Sequence, residues 1–269
     1  MSLLGYLRGA VRTRRAVRER RAALAGAEPA RLDAALADWS RSLADPTGFY
    51  LDCFRAFHLR LPAELREHRA YFTAERRGFG EDAFHTMWAL LFERFKFSAH
   101  LEIGVYRGQT LSLAALLQKC AGGAGKVAGI SPFEAVGDSV STYRGGLDYH
   151  ADTLANFAHF ALPPPTLLKA YSTDERARDF IRGGPWDCIY IDGNHDYEIA
   201  RADWDAGAAG VRPGGVIVLD DSALGTAFAP PAFATAGHPG PSRLAAEIDP
   251  ACFLEILRVG HNRVFQRLA

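Results

Sequence analysis

From Ala99 onward the chain alternates short apolar runs with segments of helical period, and no other feature restricts its fold as much. His100–Gly104, Lys126–Ser131, Thr166–Tyr171, Trp186–Asp192 and Gly215–Asp220 read as strands. Gln109–Cys120, Tyr149–Phe160, Thr173–Ile181 and Tyr197–Gly210, lying between them, read as helices. Alternation of this kind implies a parallel sheet with helices on both faces. Two more strands, Phe253–Val259 and Val264–Leu268, are joined by Gly260-His261-Asn262-Arg263, which is hairpin chemistry and makes the final strand antiparallel to its neighbour. The expected fold is α/β and Rossmann-like, with seven strands, the last one antiparallel. Ligands of such sheets sit beyond the carboxyl ends of the strands, near the point where strand order reverses.

Residues 1–95 differ in texture. They are rich in Ala, Leu and Arg at helical spacing and are expected to form a helical extension before a sheet domain at 96–269. Leu3, Leu4, Leu7, Ala10, Val11, Val17 and Leu24 make one stripe, with Arg8, Arg12, Arg15, Arg18 and Arg20 mostly elsewhere on the wheel. A basic amphipathic helix suits an anionic membrane surface or a partner. Gly5 and Gly9 weaken it and no Trp or Phe anchors it, which favours packing on its own domain or across a homo-oligomer interface. Ala27–Leu43 and Pro46–Leu61 read as further helices, and Phe79–Phe97 holds an aromatic-rich helix expected to serve core packing. The balance of 31 basic against 31 acidic residues disfavours a nucleic-acid partner held by phosphate contacts. Four cysteines without a CxxC pair suit a reducing, cytoplasmic setting. No apolar run approaches the ~20 residues of a membrane span.

The first strand ends at Leu101-Glu102-Ile103-Gly104-Val105-Tyr106-Arg107-Gly108, and a helix begins near Gln109 and Thr110. Glycines there let the backbone turn sharply and approach a ligand without a Cβ in the way. In the dinucleotide fingerprint a second glycine admits a pyrophosphate; here Tyr106 takes that place. A ligand without phosphates, carrying an amino acid and an adenosine, fits better. Glu102 is placed to meet its ammonium, directly or through water.

Asp192 ends the fourth strand, and Asp220 and Asp221 end the fifth. Adjacent strand ends lie ~5 Å apart, so three carboxylates are expected in one small volume. Like charges that close raise one another's pKa unless a cation sits among them. Oxygen-only ligands suit Mg²⁺ or a similar hard ion. His195, three residues past Asp192, is placed to act as a general base.

Taken together, Glu102–Gly108 with Tyr106, Asp192-Gly-Asn-His195, Arg212-Pro-Gly-Gly215 and Asp220-Asp221 resemble the class I S-adenosylmethionine-dependent methyltransferases, and within them the metal-dependent O-methyltransferases. Asp192-Gly193-Asn194-His195-Asp196-Tyr197 is similar to the corresponding stretch of the macrocin and mycinamicin sugar O-methyltransferases, in which the aspartate binds Mg²⁺ and the histidine is the base. Catechol and caffeoyl-CoA O-methyltransferases are more distant, with lysine where His195 stands and Asp-Asn where Asp220-Asp221 stands. The resemblance spans roughly residues 97–269. It implies S-adenosylmethionine held by Glu102, Gly104, Tyr106, Gly108, Thr110, Ser131, Ser172 and Asp192, and a divalent cation held by Asp192, Asp220 and Asp221. Ser131 departs from the family, which usually carries an acidic ribose ligand there; either Glu134 substitutes or the ribose is held differently. The segments Ala135–Asp148 and Ala223–Pro241 are expected to cover the cleft and to line its acceptor side.

The expected function is methyl transfer from S-adenosylmethionine to a hydroxyl of a small molecule or sugar, with the metal lowering the hydroxyl pKa and His195 removing its proton. Two alternatives are a nicotinamide-dependent oxidoreductase on a similar sheet and a non-catalytic binding module recruited to membranes by the first helix.

Overall fold

The computed structural model describes residues 3–138 and 140–269, with the side chains of residues 3–10 and 12 outside that description. Leu3, Leu4, Leu7 and Ala10 of the expected apolar stripe, with Arg8 and Arg12, therefore lie outside the described side chains. Among the described residues seven strands form one sheet: β1 (Ala99–Ile103), β2 (Lys126–Ser131), β3 (Thr166–Lys169), β4 (Trp186–Ile191), β5 (Val211–Leu219), β6 (Phe253–Val259) and β7 (Asn262–Arg267). Their order is β3-β2-β1-β4-β5-β7-β6. The first five are parallel, and β7 runs antiparallel to both β5 and β6. Among the described residues six α-helices precede the sheet: α1 (Leu3–Leu24), α2 (Pro29–Ala37), α3 (Ser40–Ala44), α4 (Pro46–Leu59), α5 (Ala63–Thr73) and α6 (Asp82–Phe95). The crossovers carry α7 (Gln109–Cys120), α8 (Tyr149–His159), α9 (Glu175–Arg182) and α10 (Tyr197–Gly210), and α11 (Pro239–Ala246) lies between β5 and β6.

The two-residue period of the central strands sorts side chains onto two cores. Leu101, Ile103, Ile189, Ile191, Ile217 and Leu219 face one side, with Ala177 and Ile181 of α9, Trp204 of α10 and Leu244 of α11. Cys188, Tyr190, Val216 and Val218 face the other, with α7, α8 and the amino-terminal helices. His100 and Glu102 alternate with Leu101 and Ile103, so they point toward the amino-terminal helices. There Trp88 of α6 meets the His100 and Tyr190 rings edge-on. The Arg258 backbone N–H of the edge strand β6 donates to Ser42 Oγ at 2.9 Å, so α3 covers an edge that would otherwise be open to pairing.

Several elements differ from the sequence reading. Ala27–Leu43 divides into α2 and α3 because the Asp38 carboxylate accepts from the Ser40 N–H and hydroxyl, a local bond that competes with the helix ladder. α5 was not expected; its buried face is Leu65, His68, Arg69 and Phe72, half of it polar. α11 lies at the end of a segment read as loop, and Pro239 opens it where no N–H is needed. β5 starts at Val211, four residues early, because Val211 pairs with Trp186 across an irregularity in register. Of the described side chains of the α1 stripe, Leu24 packs against the core. Val11 and Val17 are exposed, and the helix docks through Glu19, which accepts from Ala232 N at 2.6 Å, through Arg20 against Asp82, and through Ala23. No described helix is long and apolar enough to cross a membrane.

Candidate active site

The hydrogen bonds that continue the sheet past its strands place the candidate residues side by side. Asp192 N–H donates to Ile103 carbonyl at 2.8 Å, and Asp220 N–H to Ile191 carbonyl at 3.0 Å. Gly104, Asp192 and Asp220 therefore stand in a row beyond β1, β4 and β5, at the point where strand order reverses. A cavity of about 460 Å³ opens over this row. Glu102, Gly104, Tyr106, Thr110, Ser131, Ser172, Asp192, His195, Asp220 and Asp221 all line it.

Gly104 and Gly108 act on neighbouring protein rather than simply clearing space for a ligand. At Gly104 (φ +101°) a Cβ would meet the Asp192 carbonyl oxygen at 2.0 Å, so the glycine lets the turns after β1 and β4 touch. Gly108 (φ +76°) caps α7 in the left-handed region, stands off the cavity lining, and gives its Cβ space to Thr153 of α8. Glu102 is buried with Oε2 unpartnered. Burial, aided by the charge of Asp220, pushes its pKa up to about 8, which favours the protonated form at neutral pH. Tyr106 packs against Phe79 and Tyr149, closing one flank. Ser131 Oγ faces the cavity and accepts weakly from Phe133 N at 3.4 Å. Glu134, the expected substitute, is half exposed and pairs with Lys169 at 3.1 Å.

The other side of the cavity is built around Asp221. Its φ of +50° is held by the 235–238 segment: His238 N–H donates to its carbonyl at 2.8 Å, and Gly237 leaves no Cβ to strike it. His195 bridges two carboxylates. Its Nδ1 lies 2.6 Å from Asp138 Oδ2, which also accepts from the His195 backbone N–H at 2.8 Å, and its Nε2 lies 2.8 Å from Asp221 Oδ2. Burial alone would lower the His195 pKa, but the bonds to Asp221 and Asp138 raise it to about 9. The two carboxylates therefore favour the imidazolium form of the ring in the free protein. Gly240 leaves room for α11 to start directly against the His195 carbonyl.

The three aspartates do meet, but not around one point. Asp192 is pushed up by burial and by the adjoining charge of Asp220. Asp220 stays ionised because His261, 3.3 Å away, offsets its burial. The groups whose ligand atoms lie within 4.8 Å of one another are Asp220, Asp221 and His261, and His195, Asp221 and His238. Asp192 belongs to neither, and both contain imidazole beside the carboxylates.

Asp138, His238 and His261 were missed in the sequence, as was the wall made by residues 78–88. Phe79, Glu81, Phe84, His85 and Trp88 line the cavity, while Phe84 and Trp88 also serve the core as expected. Gly78 and Gly80 pack on the Gln109 side chain, and the Gly80 N–H donates to its Oε1 at 3.2 Å.

Residues 101–222 match a family model described as a methyltransferase domain. This part of the chain is similar to a methyltransferase domain. The whole fold is similar to that of the O-methyltransferase from Bacillus cereus in complex with SAH, at 16% identity over 80% of this chain and 95% of that one, with a TM-score of 0.52. It is similar also to the SAH-bound Podospora anserina methyltransferase PaMTH1, at 14% identity over 78% and 89% of the two chains, TM-score 0.52. No curated protein matches the chain by sequence. The matched segment contains Glu102, Asp138, Asp192, His195, Asp220 and Asp221. Its cavity is completed from outside those bounds by residues 78–88 and by Thr235, His238 and His261.

The histidine ion pairs give this architecture a pH signature. His195 is raised to about 9 and His261 to about 10, each by its aspartates, against an unfolded value near ~6.5. Raised values mean stability that is full below pH ~6.5 and is lost as pH climbs through 9 to 10. The expected result is a melting temperature that falls from pH 7 to pH 10 in chelator-treated protein, with a flatter profile in H195Q. A flat wild-type profile would show that the two pairs do not stabilise the fold.

Proposed function

We propose that the protein transfers a methyl group from S-adenosylmethionine to a hydroxyl oxygen of a small molecule or sugar. The supporting observation is one continuous cavity that runs from the glycine turn after β1, the cofactor side, to His195 and Asp221, the acceptor side. Glu102, Gly104 and Asp192 would hold the cofactor's amino-acid end, and Ser131 would meet its ribose.

Asp220 and Asp221 are the residues that would hold a divalent cation such as Mg²⁺. They fit that role because Asp220 Oδ1 is buried and accepts no hydrogen bond. A divalent cation, when bound, lowers the pKa of an acceptor hydroxyl. His195 would take the hydroxyl proton at Nε2: displacing Asp221 from that nitrogen removes one of the two carboxylates that favour the imidazolium, the Nε2 proton leaves to solvent and frees the nitrogen as a base, and Asp138 keeps Nδ1–H and the ring plane fixed. The oxygen then attacks the sulfonium methyl in line, and positioning supplies much of the rate.

The test is methyl transfer from labelled S-adenosylmethionine to a panel of vicinal diols and catechols, with SAH binding measured beside it. SAH binding together with a methylated diol or catechol is the expected result; absence of SAH binding at millimolar concentration would reject the reading. Asp138→Ala is expected to lower kcat by about 10²-fold through misplacement of the His195 ring. An unchanged kcat would mean that His195 needs no such support.

A further inference from the structure

His261 belongs to the turn between β6 and β7, outside the matched methyltransferase segment. It reaches the strand ends because β7 is antiparallel to β5. Leu219 pairs with Arg263, so the turn preceding β7 stands at the carboxyl end of β5, and the Ser222 N–H fastens it by donating to the His261 carbonyl at 2.8 Å. The His261 side chain is only 9% exposed. Its Nδ1 lies 3.2 Å from the Thr235 carbonyl, which turns Nε2 toward the acids, 3.3 Å from Asp220 Oδ1 and 3.8 Å from Asp221 Oδ1. That Asp220 oxygen is buried and accepts no hydrogen bond. An imidazole whose second nitrogen is fixed by a backbone carbonyl has the orientation that metal-bound histidines show.

We propose that Asp220, Asp221 and His261 form a mixed nitrogen–oxygen centre for a divalent cation, with His261 Nε2 as a ligand and Asp192 outside it. The proposal rests on the divalent-cation reading above and changes its chemistry. Imidazole shifts preference from Mg²⁺ toward Mn²⁺, Co²⁺ and Zn²⁺, along the usual order of affinities. The other group within reach, His195, Asp221 and His238, offers one carboxylate instead of two, and its His195 Nδ1 is engaged by Asp138.

The full chain, stripped by chelator, is titrated calorimetrically with Co²⁺, Mn²⁺ and Mg²⁺ alone, and bound Mn²⁺ is examined by pulsed electron paramagnetic resonance. Co²⁺ is expected to bind more tightly than Mg²⁺, and Mn²⁺ to show coupling to an imidazole nitrogen. H261Q should lose that coupling and weaken Co²⁺ by about 10–100-fold or more, whereas H195Q and H238Q should keep it. Bound Mn²⁺ without nitrogen coupling, or coupling that survives H261Q, would overturn the assignment to His261 and leave an oxygen centre or the other histidines. If H261Q does not fold, the wild-type signal and the two other variants still decide: coupling kept in both supports His261, and coupling lost in either contradicts it. Binding of no ion by the wild-type chain would remove the cation reading as well, while SAH binding, measured separately, would still report on the methyltransferase reading.

Discussion

Replacing His195 with alanine is expected to lower turnover by about 10²–10⁴-fold while SAH affinity changes only a few-fold. The separation follows from where the ring sits. It contacts Asp138 and Asp221 on the acceptor side, whereas the glycine turn, Tyr106 and Ser131 lie along the rest of the cavity. Removing the ring deletes the proton acceptor and leaves those surfaces in place. Because Asp138 acts through His195, Asp138→Ala should add little to the H195A defect, the non-additivity expected of residues in one network. Near-normal turnover in H195A would remove His195 from the chemistry, and equal losses of SAH affinity and turnover would make it a structural support only.

The second large effect is predicted for Gly104→Ala. A Cβ at this position would stand 2.0 Å from the Asp192 carbonyl oxygen and 2.6 Å from Gly193 Cα, and both are backbone atoms that cannot rotate aside. The φ of +101° adds strain for any residue with a Cβ. Relief requires the turns after β1 and β4 to part, which is where the cavity begins. The expected loss exceeds about 4 kcal/mol, seen as a melting temperature lower by about 10 °C or more, or as failure to fold. Gly145→Ala is the control: nothing lies within 4 Å of its added Cβ, so its melting temperature should stay close to wild type. A G104A protein as stable as wild type would mean that the two turns do not touch as described.

What the sequence revealed about the site follows the strand ends. Asp192, Asp220 and Asp221 could be placed because each closes an apolar run, and in a parallel sheet all such ends point the same way. His195 followed from its spacing to Asp192. Asp138 had no such signal: it reaches His195 across 57 residues, and only the path of its loop brings it there. His261 did carry a signal that went unused. A final strand running antiparallel to β5 must begin at the carboxyl end of β5, so the hairpin turn was bound to meet Asp220 and Asp221. Reading Gly260-His261-Asn262-Arg263 only as turn chemistry hid a titratable ring in the site. The wall from residues 78–88 was obscured differently, since an aromatic helix that packs in the core can also present one flank to a cavity, and periodicity does not separate the two roles.

The sharpest check is a crystal structure of the chain with bound SAH, the product left when S-adenosylmethionine gives up its methyl group. It should show the ribose beside Ser131, the amino-acid end against the Gly104 turn, and the sulfur turned toward the open space in front of His195. SAH lodged elsewhere, or with its sulfur facing away from that histidine, would contradict transfer to an acceptor held there.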